Sequence, residues 1–97
     1  MKMLFVVYGD FLDDRITSAF KQAGCKSYMK FHDATGEVHP IEKRLGTHSA
    51  PGKIKTILMA VPDEDIHRLL EIVRGLRVEF PTVALRAVTF PLEECVY

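Results

Sequence analysis

The sequence predicts an α+β domain: a ferredoxin-like plait in βαββαβ order, an antiparallel sheet with both helices on one face. Three observations lead there. "MLFVVY" (3–8) and "KIKTILMAV" (53–61) are short runs with apolar residues on both faces of an extended chain, and each leads into apolar residues at helical spacing. "CKSYMKFH" (25–32) alternates instead, as a half-exposed strand does. The chain has 97 residues, 47% apolar and 27% charged, which suits one domain with one core over residues 1–97.

The first strand ends at Gly9, and Asp10 or Asp13 is placed to cap the helix that follows. Ile16, Ala19, Phe20 and Ala23 share one helical face, and Gly24 supplies the stop. In the second strand Met29 and Phe31 lie on one side, with Tyr28, Lys30 and His32 on the other. Its lysines discourage edge-to-edge pairing. Residues 33–52, "DATGEVHPIEKRLGTHSAPG", carry three glycines, two prolines and no period. A connection this long in a small domain marks the first place to look for activity. Pro62 and Asp63 then end the third strand and begin a helix, with Asp63, Glu64 and Asp65 near the positive end of its dipole. Ile66, Leu69, Leu70, Val73 and Leu76 form its stripe; Gly75 is a mild break, and Pro81 lies beyond the end. "VALRAVTF" (83–90) is the fourth strand.

In this topology the first and third strands are central, and their continuous apolar character means burial on both faces. Two helices cover one face only. The other exposes large side chains from among Leu4, Phe5, Val6, Ile57, Leu58, Met59 and Val88. Burying four of them at ~1.5–3 kcal/mol each is worth roughly 6–12 kcal/mol, comparable to the whole stability of a domain. A closed homo-oligomer in which sheets pack on sheets is the expected solution.

Composition narrows the function. Thirteen basic residues balance thirteen acidic ones, so no net field draws the chain to nucleic acid or an anionic membrane. The third strand also lacks the aromatic residues with which an RNA-recognition motif stacks bases. No stretch reaches membrane-spanning length, and "MKMLFVVYGDF" has a strand's pattern rather than a secretory signal's, which makes the cytoplasm the expected location. Cys25, opening one edge strand, and Cys95, after the opposite edge, are expected to be free thiols. No nucleophile–base set stands out among Ser18, Ser27 and Ser49, so no enzyme is expected.

"FLDD" (11–14), "KIKTILMAVPDEDIHRLLEIV" (53–73) and "RAVTFPLEECV" (86–96), in this order and spacing, resemble the nitrogen-regulatory PII proteins, and "GTHSAPGK" (46–53) is similar to a segment of small PII-like proteins. The resemblance implies a trimer whose three sheets line a central barrel, a long loop (the T-loop) that docks on a partner, and effector sites in clefts between subunits. In the family the ligands are ATP or ADP with 2-oxoglutarate, and the partners are transporters and enzymes of nitrogen metabolism. PII cradles phosphate with a glycine-rich G-D-G-[KR] turn before the last strand. The corresponding "RVEFPTVALRA" (77–87) has no glycine, so an adenine nucleotide is the cofactor class implied while its usual cradle is missing.

Three sets of candidate residues follow. Lys53, Lys55 and Arg86, with Gly36 or Gly52, offer charge and backbone donors to an anionic ligand; the plainer reading is surface charge. Ile41, Lys43, Arg44 and Leu45 form a turn that can fold onto a protein partner, against which stands a solvated loop. His32, His39 and His48 supply imidazoles for a divalent metal, although their spacing matches no compact zinc motif. His67, on the flank of the second helix, reads as a solvated salt-bridge partner. The combined expectation is a cytosolic PII-like signalling trimer that senses a small metabolite or nucleotide and engages a membrane transporter or enzyme. The alternative is a divalent-metal-binding trimer like CutA, with the loop histidines as ligands.

Overall fold

A computed structural model describes residues 1–34 and 53–96. The elements are β1 (Lys2–Gly9), a 3-10 turn (Asp10–Leu12), α1 (Asp13–Gln22), β2 (Met29–Ala34), β3 (Ile54–Val61), α2 (Asp63–Glu79) and β4 (Leu85–Pro91). The sheet order is β2-β3-β1-β4 and every pairing is antiparallel, so the two continuously apolar strands are central as expected. The plait predicted from the sequence is the fold observed.

Register decides which side chains meet the helices. Cross-strand partners share a face, so Leu4 with Met59, Val6 with Ile57 and Tyr8 with Leu85 look the same way. Leu4, Val6, Tyr8 and Ile57 are fully buried there against Leu12, Ile16 and Phe20 of the first helical layer and Ile66, Leu69, Val73 and Leu76 of α2. The helix-free face carries the intervening residues: Met3, Phe5 and Val7 of β1, Leu58 of β3, Met29 and Phe31 of β2, Val88 and Phe90 of β4. This corrects the expectation in part. Leu4, Val6, Ile57 and Met59 belong to the core, because strand alternation turns them to the helices, and only Phe5, Leu58 and Val88 of the expected set lie on the bare face. The bare patch nevertheless crosses all four strands, with Met29 60%, Phe31 49%, Val88 45% and Phe90 47% exposed.

Local signals account for most element ends. Gly24 adopts φ 97°, the left-handed conformation that closes a helix, two residues past α1. Pro62 precedes the first residue of α2, whose opening turn is acidic, and α2 runs through Gly75 without interruption to Glu79. Neither Asp10 nor Asp13 caps α1 with its side chain. A 3-10 turn intervenes, and Asp13 is the first residue of α1, its carboxylate turned to other donors. β2 extends two residues into the expected loop, through Ala34, with an irregularity between Phe31 and Ala34. Cys25 lies in the connection before β2 rather than opening it; Cys25 and the exposed Cys95 are both free thiols. No helix among the described residues is long and apolar enough to cross a membrane.

Candidate functional site

Three chain segments converge at one end of the sheet, where β1 finishes, β3 begins and the α2–β4 turn arrives. Two backbone hydrogen bonds stitch them: the Gly9 amide donates to the Ala84 carbonyl at 3.0 Å, and the Asp10 amide to the Lys53 carbonyl at 3.1 Å. Between them lies a cleft of about 400 Å³, walled by Gly9, Asp10 and Phe11, by Lys53 and Ile54, and by Val83 and Ala84. The cleft is of the size that holds a small molecule, with apolar walls and few polar groups. Phe11, 61% exposed at its rim, packs edge-on against Phe80 with ring centroids 5.7 Å apart. Arg15 stacks over the Phe80 ring at 5.6 Å and grips Glu79 with two bonds of 2.6 and 2.9 Å.

Behind the cleft a polar cluster is centred on Asp13. Its Oδ1 accepts hydrogen bonds from Tyr8 Oη at 2.7 Å and Lys30 Nζ at 2.9 Å, and its Oδ2 accepts one from Lys55 Nζ at 3.2 Å. Lys55 also pairs with Asp10 at 3.1 Å. Burial raises the Asp13 pKa, but the bonds from Tyr8, Lys30 and Lys55 outweigh it and leave the carboxyl at about 2. Burial first, and then the Asp13 carboxylate, push the Tyr8 hydroxyl well above its ordinary range. Hydrogen bonds to Asp10 and Asp13 raise Lys55. Two carboxylates and two ammoniums close this cluster electrically, so it positions the strand ends rather than offering a vacant charge.

The sequence-predicted site residues therefore separate. Lys53 is exposed and lines the cleft. Lys55 points to the helix side, opposite Tyr8 in register, and its charge is taken up by Asp10 and Asp13. Arg86 pairs in register with Val7 and so belongs to the bare face. Strand alternation puts Lys55 and Arg86 on opposite faces, and Lys53 precedes β3 on the cleft wall, so the three cations do not meet on one surface. His32 is exposed on β2, and among the described residues no three His, Cys, Asp or Glu gather as a metal site. Gly36, His39, Ile41, Lys43, Arg44, Leu45, His48 and Gly52 lie outside the described residues. Sequence reading missed Tyr8 and Asp13, because Tyr8 sits inside an apolar run and Asp13 looked like a helix cap. It also missed Arg77, near the end of α2, whose guanidinium donates to the carbonyls of Pro81 and Val83, each at 3.0 Å, and of Leu85 at 2.6 Å. The available signal was a lysine at alternate positions of two adjacent strands, Lys30 and Lys55, which requires an acid on the helix side.

A second cavity, about 260 Å³, lies at the opposite end between the α1–β2 connection, the end of β3 and the start of α2. There Arg68 donates to the Ala23 carbonyl at 2.7 Å and pairs with Asp65 at 3.3 Å, fixing the end of α1. Cys25 lines it, and burial pushes its thiol up despite the nearby Arg68.

No family model and no curated protein sequence matches this chain. Solved structures do. CPII, a nitrogen regulatory PII-like protein from Thiomonas intermedia K12 bound to ADP, AMP and bicarbonate, is similar over 98% of this chain and 94% of its own, with 18% identity and a TM-score of 0.69. Its apo form matches over 92% and 87%, with 20% identity and a TM-score of 0.67. A putative PII-like signaling protein from Thermus thermophilus matches over 92% and 82%, with 22% identity and a TM-score of 0.63. The chain has the fold of the PII-like proteins, the same group that its motifs resemble.

Proposed function

We propose that this chain is a PII-like regulatory protein that forms a homotrimer through its bare sheet face. A small-molecule effector of the adenine-nucleotide class occupies the cleft at the end of the sheet. Its occupancy is relayed to residues 35–52, which connect Ala34 of β2 to Lys53 on the cleft wall. That segment then engages a protein partner, an enzyme or a membrane transporter, with its conformational populations shifted by the effector.

The observation that carries this reading is the apolar face across all four strands. Met29, Phe31, Val88 and Phe90 are each about half exposed, so covering them is worth roughly 3–6 kcal/mol per protomer beyond what the monomer gains. Sister sheets of matching curvature provide that cover, as in a barrel of three. The relatives add direction: CPII is described with ADP, AMP and bicarbonate bound.

Light scattering at micromolar concentration tests the assembly. Three copies of the 11.0 kDa chain give a mass of about 33 kDa, and a mass of 11.0 kDa refutes the trimer. Melting in the presence of ADP, AMP or bicarbonate tests the effector, since a ligand of the folded state raises Tm. An unchanged Tm with all three at millimolar concentration removes that part of the reading.

A further inference from the structure

We infer that the second cavity is a binding site for a free α-amino acid, recognised through the backbone of Ala60 and the charges of Asp65 and Arg68. Hydrogen-bond parity in the sheet aims Ala60 there. In an antiparallel ladder bonded and non-bonded pairs alternate, and the N–H and C=O of one residue leave the strand on the same side. The bond from the Asp10 amide to the Lys53 carbonyl flanks the Gly9–Ile54 pair, which is therefore non-bonded. Alternation then gives the bonded pairs of β1 and β3 as Tyr8–Lys55, Val6–Ile57, Leu4–Met59 and Lys2–Val61. Ile54, Thr56, Leu58 and Ala60 consequently direct their backbone groups to the β2 side of β3.

Met29 takes up Leu58, and β2 goes no further. The same register would set Ser27 opposite Ala60, but residues 25–28 leave the ladder and make no backbone hydrogen bond to residues 59–61. The Ala60 N–H and C=O are thus without a protein partner among the described residues, and Ala60 lines the cavity with Cys25 and Ser27. An amino acid is a single strand residue with a charge at each end. Its carboxylate accepts from the Ala60 amide and its ammonium donates to the Ala60 carbonyl, the bonding of a paired strand residue. Asp65 and Arg68, also on the wall, supply the counter-charges. Arg68 uses Nη2 for both Ala23 and Asp65, so among the described residues its Nε and Nη1 donors remain for a carboxylate. The part-exposed Asp65 carboxylate accepts only that 3.3 Å contact, which leaves lone pairs for an ammonium. At about 260 Å³ the cavity falls below the size that holds drug-sized ligands and suits a molecule as small as an amino acid. It lies at the far end of the sheet from the cleft, so it stands or falls separately from the effector reading.

The test is a titration of the ¹⁵N-labelled full chain, wild type and Asp65→Asn, followed at the Ala60 amide. L-Alanine and L-leucine are each compared, at millimolar concentration, with the carboxylate and the amine that lack the other charge: propionate and ethylamine, 4-methylpentanoate and isoamylamine. At least one of the two amino acids moves the wild-type Ala60 resonance saturably and binds about tenfold or more tighter than either of its analogues. Asp65→Asn erases the advantage over the carboxylate while the carboxylate binds at least as well as before. This selective loss is one that a general loosening of the fold does not produce. If neither amino acid moves the Ala60 resonance, the inference is overturned. It is overturned equally when the carboxylate or the amine alone binds as tightly as the amino acid, or when Asp65→Asn leaves the preference intact.

Discussion

Replacing Asp13 by asparagine keeps the shape of the side chain and one acceptor for Tyr8 but removes the charge that two buried ammonium stems share. Lys30 and Lys55 are only 16% and 19% exposed, so water replaces little of the lost pairing. Depression of the Asp13 carboxyl from 3.8 to about 2 sets the scale: the charged form is favoured in the folded chain by about 2 kcal/mol. Because the folded value is the lower one, this contribution is complete above the unfolded value of 3.8 and is lost as pH falls through about 2. The protonated carboxyl is then equivalent to the asparagine. Denaturant unfolding of both proteins, at equal protomer concentration, therefore gives a gap of about 2 kcal/mol at pH 7 that narrows to about half near pH 3. Equal stability at pH 7 refutes the argument, and so does a gap that stays constant between pH 5 and pH 3. The second outcome would assign the loss to packing rather than charge.

Four further outcomes are expected. Gly75→Ala stabilises the chain by about 0.5–1 kcal/mol in denaturant unfolding, since an added methyl in the middle of α2 meets nothing within 4 Å. Val88→Glu, on the bare face, places a charge where a sister sheet would desolvate it; the mass by light scattering falls to that of one chain while the circular dichroism of the plait is kept. Alkylation of the folded protein modifies exposed Cys95 before the half-buried Cys25, whose thiol burial holds in the protonated form, and unfolding in urea erases the difference. An ultraviolet titration leaves Tyr8 un-ionised past its ordinary value of 10.0; the stability this reflects is intact below that value and declines above it, and Tyr8→Phe abolishes the delayed fraction.

Topology was open to sequence reading because period and position agreed: the runs apolar on both faces became central strands, and the alternating one became an edge. Alternation within β1 was less open. "MLFVVY" contains no polar residue to mark its outward face, so which of Leu4 and Phe5 meets the helices became clear only from register with β3. The same ambiguity misplaced Lys55, whose direction depends on pairing with Tyr8 rather than on its neighbours in sequence. Arg77 was invisible for another reason. A basic residue in the last turn of a helix ordinarily reads as a solvated partner of the dipole, and only the path of residues 80–85 makes it an organiser of the turn.

Ala34 and Ile54 face one another across the β2–β3 ladder, so everything threaded between them starts and finishes at neighbouring points. For an insertion anchored in this way, doubling its length adds only about 0.6 kcal/mol of closure entropy. The scaffold is thus nearly indifferent to what it displays there. New recognition elements can be grafted, lengthened or exchanged between Ala34 and Lys53 while the four strands and the cleft walls stay as they are.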